Sequence, residues 1–226
     1  NTEILPQLKT QGLIYRKPEE CSKVQQRFLE DYFYRHLYPI IEPQLSDDEQ
    51  ALADSVANVR LHVGFLLSGD AGGQERLAIV PVPSAPRFVF LQSDHAKKVR
   101  FVLIDELIRY FGGAFFPGCR ITGTGMFKIN RSASMTVDDS SDDGFIEALE
   151  EVLIRRRYSF VVRMTSTHES PALVRRMSDL FQLGEKDIYL SEAPIGLSSF
   201  AKITEIDGFK RLRNEKWKHF AHPAFP

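Results

Sequence analysis

A chain of 226 residues, 43% hydrophobic and 26% charged, has the composition of an ordinary globular protein and can enclose a core of its own. Lysine and arginine number 29 against 30 aspartate and glutamate, so no net positive field would draw the chain onto nucleic acid or an anionic membrane. No apolar run reaches the roughly 20 residues that cross a bilayer and no leader pattern opens the sequence, so we expect no membrane span and a cytoplasmic location.

The first strong helical pattern covers residues 22–37. Ser22 and Gln25 have the spacing of a capping box, and Pro39 and Pro43 prevent the helix from continuing. A stripe of mostly aromatic residues recurs on one face, and it consists of Val24, Phe28, Tyr32 and His36, with Phe33 and Leu37 adjoining it. Such a stripe is typical of a helix that packs on a core, so we expect this face to be buried.

Three apolar runs of β type follow, at 59–67, 75–82 and 86–91. A glycine-rich turn joins the first two, which is typical of a hairpin. Residues 101–113 then change to a helical period, and the glycine pair at its end predicts the end of that helix.

The second half of the chain alternates between strands and helices. We expect a long strand at 119–130, a helix at 142–158, a strand at 159–164, a helix at 170–184 and a short last strand at 187–190. Ser170 and Gly184 are expected to cap the last helix. The order of elements favours an α+β fold, with a mixed, largely antiparallel sheet and three main helices packed on it, over a doubly wound parallel sheet.

Residues 126–135, MFKINRSASM, combine two cations with a pair of serines. Three residues apart on a strand, Lys128 and Arg131 would point to opposite faces unless a bulge or turn at Asn130 intervenes. The segment is compatible with a phosphate contact, with a kinase target at RSAS, and with a strand that has a polar face. The residues themselves leave these three interpretations open.

Motifs of catalytic and metal sites do not occur in the sequence. The GTGMFK stretch lacks the spacing of a phosphate loop, and β-type residues follow it where such a loop needs a helix. There is no GxSxG turn, and the six histidines form neither HxH nor HExxH. Cys21 and Cys119 form no CxxC and are predicted to be two buried free thiols. The arginines at 155–157 are typical of the C-terminal end of a helix, where the helix dipole favours positive charge.

Seven segments in a fixed order resemble the head, or middle, domain of the bacterial polyphosphate kinases that act through a phosphohistidine. They are LPQLKTQGLIY, FLEDYFYRHLYPIIEP, LAIVPVPSAPRFVFL, RFVLIDELIRYFGGAFFPG, FKINRSAS, EALEEVLIRRRYSFVVRM and PALVRRMSDLFQLGEKDIY. The resemblance runs from about residue 4 to residue 190. Each motif is weak alone, but the shared order and spacing are specific.

The resemblance implies an enzyme that transfers the γ-phosphate of ATP reversibly to polyphosphate, using Mg²⁺ and a histidine that becomes phosphorylated. In the family this histidine belongs to phospholipase-D-like domains that follow the head. None of the six histidines of this chain therefore matches it, and the chain is expected to be inactive alone. ATP and Mg²⁺ would be cofactors of the full-length enzyme, with no cofactor in this chain.

The resemblance also implies a division of the chain. Residues 1–17 would be the end of an N-terminal helical domain or a linker, residues 18–205 the head domain, and residues 206–226 an extended linker toward missing C-terminal catalytic domains. The head domain would serve dimerisation and border the tunnel that holds nucleotide and polyphosphate. Its partners would be its own missing N- and C-terminal domains, a second copy in a homodimer, and polyphosphate, but not nucleic acid.

The residues that we expect to contact polyphosphate are Arg87, Lys128 and Arg131. The FKINRSAS stretch resembles the TR[DN]A[DE] strand of the family and retains its arginine as Arg131. Asn130, Ser132 and Ser134 replace the threonine and the two acidic or amide positions of that pattern. This change would leave Arg131 less neutralised, which favours a phosphate contact, while pairing elsewhere in the fold is the alternative.

Two other interpretations belong to different functional classes. A stand-alone, non-catalytic interaction module derived from the same domain is the alternative, and the serine replacements favour such divergence. A small-molecule enzyme would need a cluster of titratable residues in a cleft, and the sequence indicates none.

Overall fold

A computed structural model describes residues 3–69, 75–92, 98–132 and 159–215. The chain divides into two compact units, residues 1–196 and residues 197–226. The helix predicted at 142–158 with its three arginines, Ser134 of the RSAS sequence, and most of the glycine-rich hairpin turn lie outside the described residues.

The described part of the first unit contains five α-helices and nine strands. The α-helices are α1 (Ile4–Thr10), α2 (Lys23–Tyr32), α3 (Glu49–Ser55), α4 (Ile104–Phe111) and α5 (Pro171–Phe181). The strands are β1 (Leu13–Tyr15), β2 (Gln44–Leu45), β3 (His62–Gly69), β4 (Arg76–Pro81), β5 (Phe88–Leu91), β6 (Val99–Leu103), β7 (Cys119–Arg131), β8 (Val161–Thr167) and β9 (Ile188–Ser191). In the second unit, 3-10 helices cover Leu197–Glu205 and Lys210–Leu212.

The strands form two sheets. Six of them pair in the order β2–β4–β3–β7–β8–β9, antiparallel except for the parallel pair β8 and β9. The other three pair in the order β1–β6–β5, with β1 parallel to β6. This mixed, largely antiparallel arrangement with packed helices confirms the α+β prediction. The strands expected at 119–130 and 187–190 are present as β7 and β9.

Helices pack on both faces of the six-stranded sheet around β3 and β7. On one face, Phe33 beyond α2 and Leu107 of α4 pack in the same cluster as Phe65 of β3. On the other face, Met177 of α5 packs in a second cluster with Phe127 of β7. The alternation of buried side chains along β3 and β7 therefore supplies two separate cores from one sheet.

The buried face of α2 is not the aromatic stripe. Leu29, Phe33 and Leu37 are fully buried, whereas Val24 is 78% and Phe28 41% exposed. The prediction that the stripe packs on the core was wrong for Val24, Phe28 and His36, whereas Tyr32 is half-buried against the first core. Two neighbouring rows repeat every four residues here, and the structure buries mainly the other one. The period alone does not say which row faces inward.

Two helices begin at the capping residues that the sequence predicts. Ser22 Oγ accepts a hydrogen bond from the Gln25 backbone, and the Gln25 side chain accepts one from the Ser22 backbone, which completes the capping box of α2. Ser170 Oγ accepts a hydrogen bond from the first turn of α5. The C-cap of α5 is Gln182, with a left-handed φ of 54°, so the prediction of Gly184 in that role was wrong.

The stretch 101–113 does not form a single helix. Its first three residues belong to β6, because they pair with β1 and β5, and α4 starts only at Ile104. Gly112 follows α4 with a right-handed φ of −59°, so it does not end the helix by a left-handed turn. A Cβ atom at Gly112 would lie 2.3 Å from Cζ of Phe65, which shows that this glycine permits close packing.

The glycines of GTGMFK have a similar role. A Cβ at Gly123 would lie 2.5 Å from Oγ of Ser170, and one at Gly125 would lie 3.3 Å from Leu173. These two positions on β7 therefore let the start of α5 approach the sheet closely, as packing rather than as a phosphate loop.

Both cysteines are free, but only Cys21 is buried. The prediction of a buried thiol was wrong for Cys119, which lies exposed at the start of β7. Among the helices that the structure describes, none combines the length and apolar character needed to cross a bilayer.

His62 is a buried histidine at the start of β3. It is 2% exposed, its ring stacks on Phe127, and its Nδ1 lies 3.0 Å from the carbonyl oxygen of Arg60. Desolvation by burial lowers the pKa of His62 to about 4. The folded protein therefore keeps this imidazole neutral in mild acid.

We expect a part of the stability to be lost in acid through His62. An unfolded histidine titrates near pH 6.5, so between pH 6.5 and pH 4 the unfolded state binds a proton that the folded state does not. The free energy of unfolding should fall by about 3 kcal/mol from this group as the pH drops through that window. Urea unfolding of the parent chain and of His62→Leu from pH 7 to pH 4 measures how steeply the free energy of unfolding falls with pH in each protein. Equal slopes for both proteins would contradict it.

Candidate functional site

Arg87 lies inside the fold, just before β5. Its Nε and Nη2 donate hydrogen bonds to the two carboxylate oxygens of Asp105 in the first turn of α4, at 2.8 and 2.9 Å. Its Nη1 and Nη2 also donate to the carbonyl oxygens of Gly196 and Ile195, each at 2.7 Å. Arg87 is 8% and Asp105 0% exposed, so a bidentate buried ion pair ties β5 and α4 to the end of the first unit.

Arg131 is also buried, at the end of β7. Its Nη1 donates to the carbonyl oxygen of Ser159, and its Nη2 donates to those of Ala53 and Val56, at 2.7, 2.7 and 3.2 Å. Its backbone N–H donates to Oδ1 of Asn58 at 2.9 Å. The guanidinium therefore fastens α3 to the junction of β7 and β8.

A pocket of about 410 Å³ lies beside Arg131. Its lining residues come mainly from α3, the start of β8 and the end of α5, and they include Asp54, Phe160 and Leu180. Burial lowers the pKa of Arg131, while the negative charge of Asp54 acts in the opposite direction.

A second ionic network connects β1 with α4. The Tyr15 hydroxyl donates to Oε1 of Glu106 at 2.9 Å, and Arg109 Nε donates to Oε2 of the same carboxylate at 2.8 Å. Arg109 also pairs with Glu19. Burial, followed by the charge of Glu106, raises the pKa of Tyr15, so the phenol stays protonated. The two carboxylates of this network share the single guanidinium of Arg109.

Lys128 points away from Arg131, on the other face of β7, as the strand period predicts. The register pairs Lys128 with Thr165 and Asn130 with Arg163, and it shifts between Asn130 and Arg131. The extra residue at this bulge is Val162 of β8, so the alternation of β7 continues to Arg131. Tyr189 of β9 is the next neighbour, because it pairs with Thr165. These five residues form one surface, which we call the basic sheet face: Lys128, Asn130, Arg163, Thr165 and Tyr189.

A row of side chains on α2 and on the π-helical turn that follows it, Phe33–Leu37, is the second surface feature. We call it the aromatic strip, and it consists of Val24, Phe28, Tyr32 and His36, of which only Tyr32 is half-buried. The ring centres of Phe28 and Tyr32 lie 6.5 Å apart and those of Tyr32 and His36 lie 4.8 Å apart. More exposed apolar side chains follow just beyond the helix, namely Tyr34, Tyr38 and Ile40.

The comparison with known families decides the assignment. The model of the polyphosphate kinase middle domain matches residues 24–203. The chain belongs to this family. This confirms the resemblance that the seven sequence segments indicate.

Relatives with the name polyphosphate kinase are much longer than this chain. The protein of an Exiguobacterium strain is 27% identical over 87% of this chain and 28% of its own length. That of Thermosynechococcus vestitus is 28% identical over 99% of this chain and 31% of its own length. A solved polyphosphate kinase from Porphyromonas gingivalis has the same fold, with a TM-score of 0.71 and 17% identity over 97% of this chain and 31% of that chain. The chain thus spans about 30% of these relatives.

In this polyphosphate kinase middle domain the three predicted contacts do not converge. Arg87 and Arg131 are engaged by buried protein groups at separate places, and only Lys128 lies on a partly open surface. Polyphosphate binding by these residues stays a prediction, and the contacts of the two arginines favour a structural role for them.

Sequence reasoning did not single out Arg163 or Tyr189, the two most exposed members of the basic sheet face. Arg163 lies 3.9 Å from the centre of the Tyr189 ring, in a cation–π contact. The residues stand on different strands, and no short motif joins them. The alternation along β7 and β8 was the one available signal, since it places Lys128 and Arg163 on the same side.

Metal ligands are not assembled in this middle domain as far as it is described. Across residues 3–69, 75–92, 98–132 and 159–215, no three His, Cys, Asp or Glu side chains come close enough to hold a metal ion.

Proposed function

We propose that this chain acts as the middle part of a polyphosphate kinase, which transfers the γ-phosphate of ATP reversibly to polyphosphate. The middle domain would mediate dimerisation and border the path of nucleotide and polyphosphate, while the phosphohistidine and the sites for ATP and Mg²⁺ would belong to other domains. The family match over residues 24–203 carries this proposal.

The aromatic strip supports the dimerisation part of the proposal. Monomeric proteins seldom leave a large contiguous apolar patch in water, and interfaces are enriched in aromatic residues. Val24 and Phe28 are 78% and 41% exposed, and Ile40 beyond the helix is 57% exposed. Such a strip can pack against its own copy about a twofold axis, because the same surface then serves both partners.

We expect the chain to sediment as a dimer at micromolar concentration and the variant Phe28→Asp to sediment as a monomer. A carboxylate in the middle of an apolar interface would lose its hydration, which should raise the dimer Kd at least about a hundredfold. Analytical ultracentrifugation over a concentration series measures this change.

The matched control is Leu190→Asp, which introduces the same charge at a side chain of β9 that is 58% exposed. It should leave the dimer intact. A monomeric parent chain, or a dimer that survives Phe28→Asp, would show that the aromatic strip does not mediate self-association.

Lys128 supports the part of the proposal that concerns the polyphosphate path. It is half-buried on β7, and among the described residues its ammonium forms no ion pair with a carboxylate. A lysine in this position can therefore contact a passing anion without breaking a bond inside the protein.

A further inference from the structure

We propose that the basic sheet face binds the polyphosphate chain, and that Arg163, stacked on Tyr189, is its principal anion contact. This inference rests on the proposed function and deepens it, since it assigns the polyphosphate contact to two residues that sequence reasoning did not single out. The register of the strands, the position of Arg163 over the Tyr189 ring and the charge of the surface support this inference.

The register places the five side chains on one side of the sheet. Lys128 stands directly opposite Thr165, and Asn130 directly opposite Arg163, across the antiparallel pair β7 and β8. Tyr189 continues the row of Thr165 on the parallel strand β9. Diagonal neighbours on one face are roughly 7–8 Å apart, so Lys128 and Arg163 are close enough for one extended anion to contact both.

The contact with Tyr189 does not use the hydrogen-bond donors of Arg163. Its guanidinium carbon lies 3.9 Å from the centre of the Tyr189 ring, in a cation–π contact. A planar guanidinium with its N–H donors available can bind two phosphate oxygens at once. Arg87, by contrast, already uses its donors on Asp105 and on two carbonyl oxygens.

The charge of the surface suits a polyanion. None of the five residues is acidic, and two are cationic, although the whole chain has a net charge of −1. The hydroxyl of Thr165 and the amide of Asn130 stand between the two cations and can donate hydrogen bonds to further phosphate oxygens. The positive charge is therefore local and has no carboxylate of its own face to neutralise it.

Polyphosphate fits this surface better than single-stranded nucleic acid does. Proteins that bind single strands stack bases on exposed aromatic rings. On the basic sheet face the one aromatic ring, Tyr189, already has Arg163 over one side. The surface thus offers contacts for phosphate groups but a poor platform for a base.

The test is a titration of the 226-residue chain with long-chain polyphosphate, at about 50 mM and about 200 mM salt. We expect Arg163→Ala to weaken binding about tenfold and Lys128→Ala about threefold at the lower salt, with a smaller salt dependence for both variants. Tyr189→Leu should also weaken binding several-fold, since it removes the support of the guanidinium and no charge.

Arg35→Ala is the matched control, because it removes one positive charge from an exposed side chain on the π-helical turn after α2. It should bind polyphosphate like the parent chain. Circular dichroism confirms that each variant is folded, which we expect because Arg163 is exposed.

Each result has a separate meaning. Binding that neither Arg163→Ala nor Lys128→Ala weakens would overturn this inference and leave the proposed function standing. A parent chain that does not bind polyphosphate at the lower salt would overturn both the inference and the polyphosphate part of the proposed function. Equally tight binding of a poly-dT oligonucleotide, lost in Arg163→Ala, would reassign the surface to nucleic acid.

Discussion

Replacing Asp105 by alanine is expected to lower the free energy of unfolding by about 3–5 kcal/mol. The change removes the carboxylate that Nε and Nη2 of Arg87 both contact, while the guanidinium, only 8% exposed, stays inside the protein. The carbonyl oxygens of Ile195 and Gly196 would still accept two hydrogen bonds, but they carry no net charge to balance the cation. Urea denaturation followed by circular dichroism measures the loss.

The control for this variant is Asp31→Ala. Asp31 forms an ion pair with Arg35 at 3.5 Å, and both side chains are at least 70% exposed, so removing it should change the stability by about 0.5 kcal/mol or less. A loss below about 1 kcal/mol for Asp105→Ala would mean that Arg87 does not depend on its partner. That result would be compatible with the anion contact that the sequence predicts for Arg87.

The variant Gly112→Ala is expected to destabilise the protein by about 3 kcal/mol. The added Cβ would lie 2.3 Å from Cζ and 2.5 Å from Cε1 of Phe65, and this ring is fully buried on β3. Either the ring or the end of α4 must move, and both belong to the same tightly packed core. Thermal and urea unfolding report the cost.

Gly113→Ala separates packing from backbone effects. The nearest atom to a Cβ at Gly113 is Cδ1 of Ile121 at 3.9 Å, which is an ordinary contact, so this variant should lie within about 0.5 kcal/mol of the parent. The double variant Gly112→Ala with Phe65→Leu should recover part of the loss, because the smaller side chain makes room. If Gly112→Ala and Gly113→Ala cost the same, steric contact with Phe65 is not the cause.

The elements that the sequence predicts well have local causes. The capping box at Ser22 and the cap at Ser170 involve residues three positions apart, and the length of β7 follows from its own alternation. The short strand β1 was not predicted, since it has three residues and exists because it pairs with β6, far away in the chain. The prediction of helix for residues 101–103 was wrong for the same reason, since these residues belong to β6 through their pairing with β5.

The same distinction between local and long-range causes applies to the candidate site. The opposite orientation of Lys128 and Arg131 follows from the strand period and is one of the two arrangements that the sequence left open. The burial of Arg87 depends on Asp105, and nothing local says which carboxylate it meets. The contact of Arg163 with Tyr189 requires the register of β8 and β9, which is a property of the assembled sheet.

The buried pair of Arg87 and Asp105 also limits how this sequence can change over evolution. Loss of either partner alone passes through a protein with an unbalanced internal charge, whereas exchange of both for apolar side chains can be nearly neutral. Relatives that are 24–28% identical to this chain have replaced most of its residues. We nevertheless expect each relative either to keep both the arginine and the aspartate or to have replaced both of them.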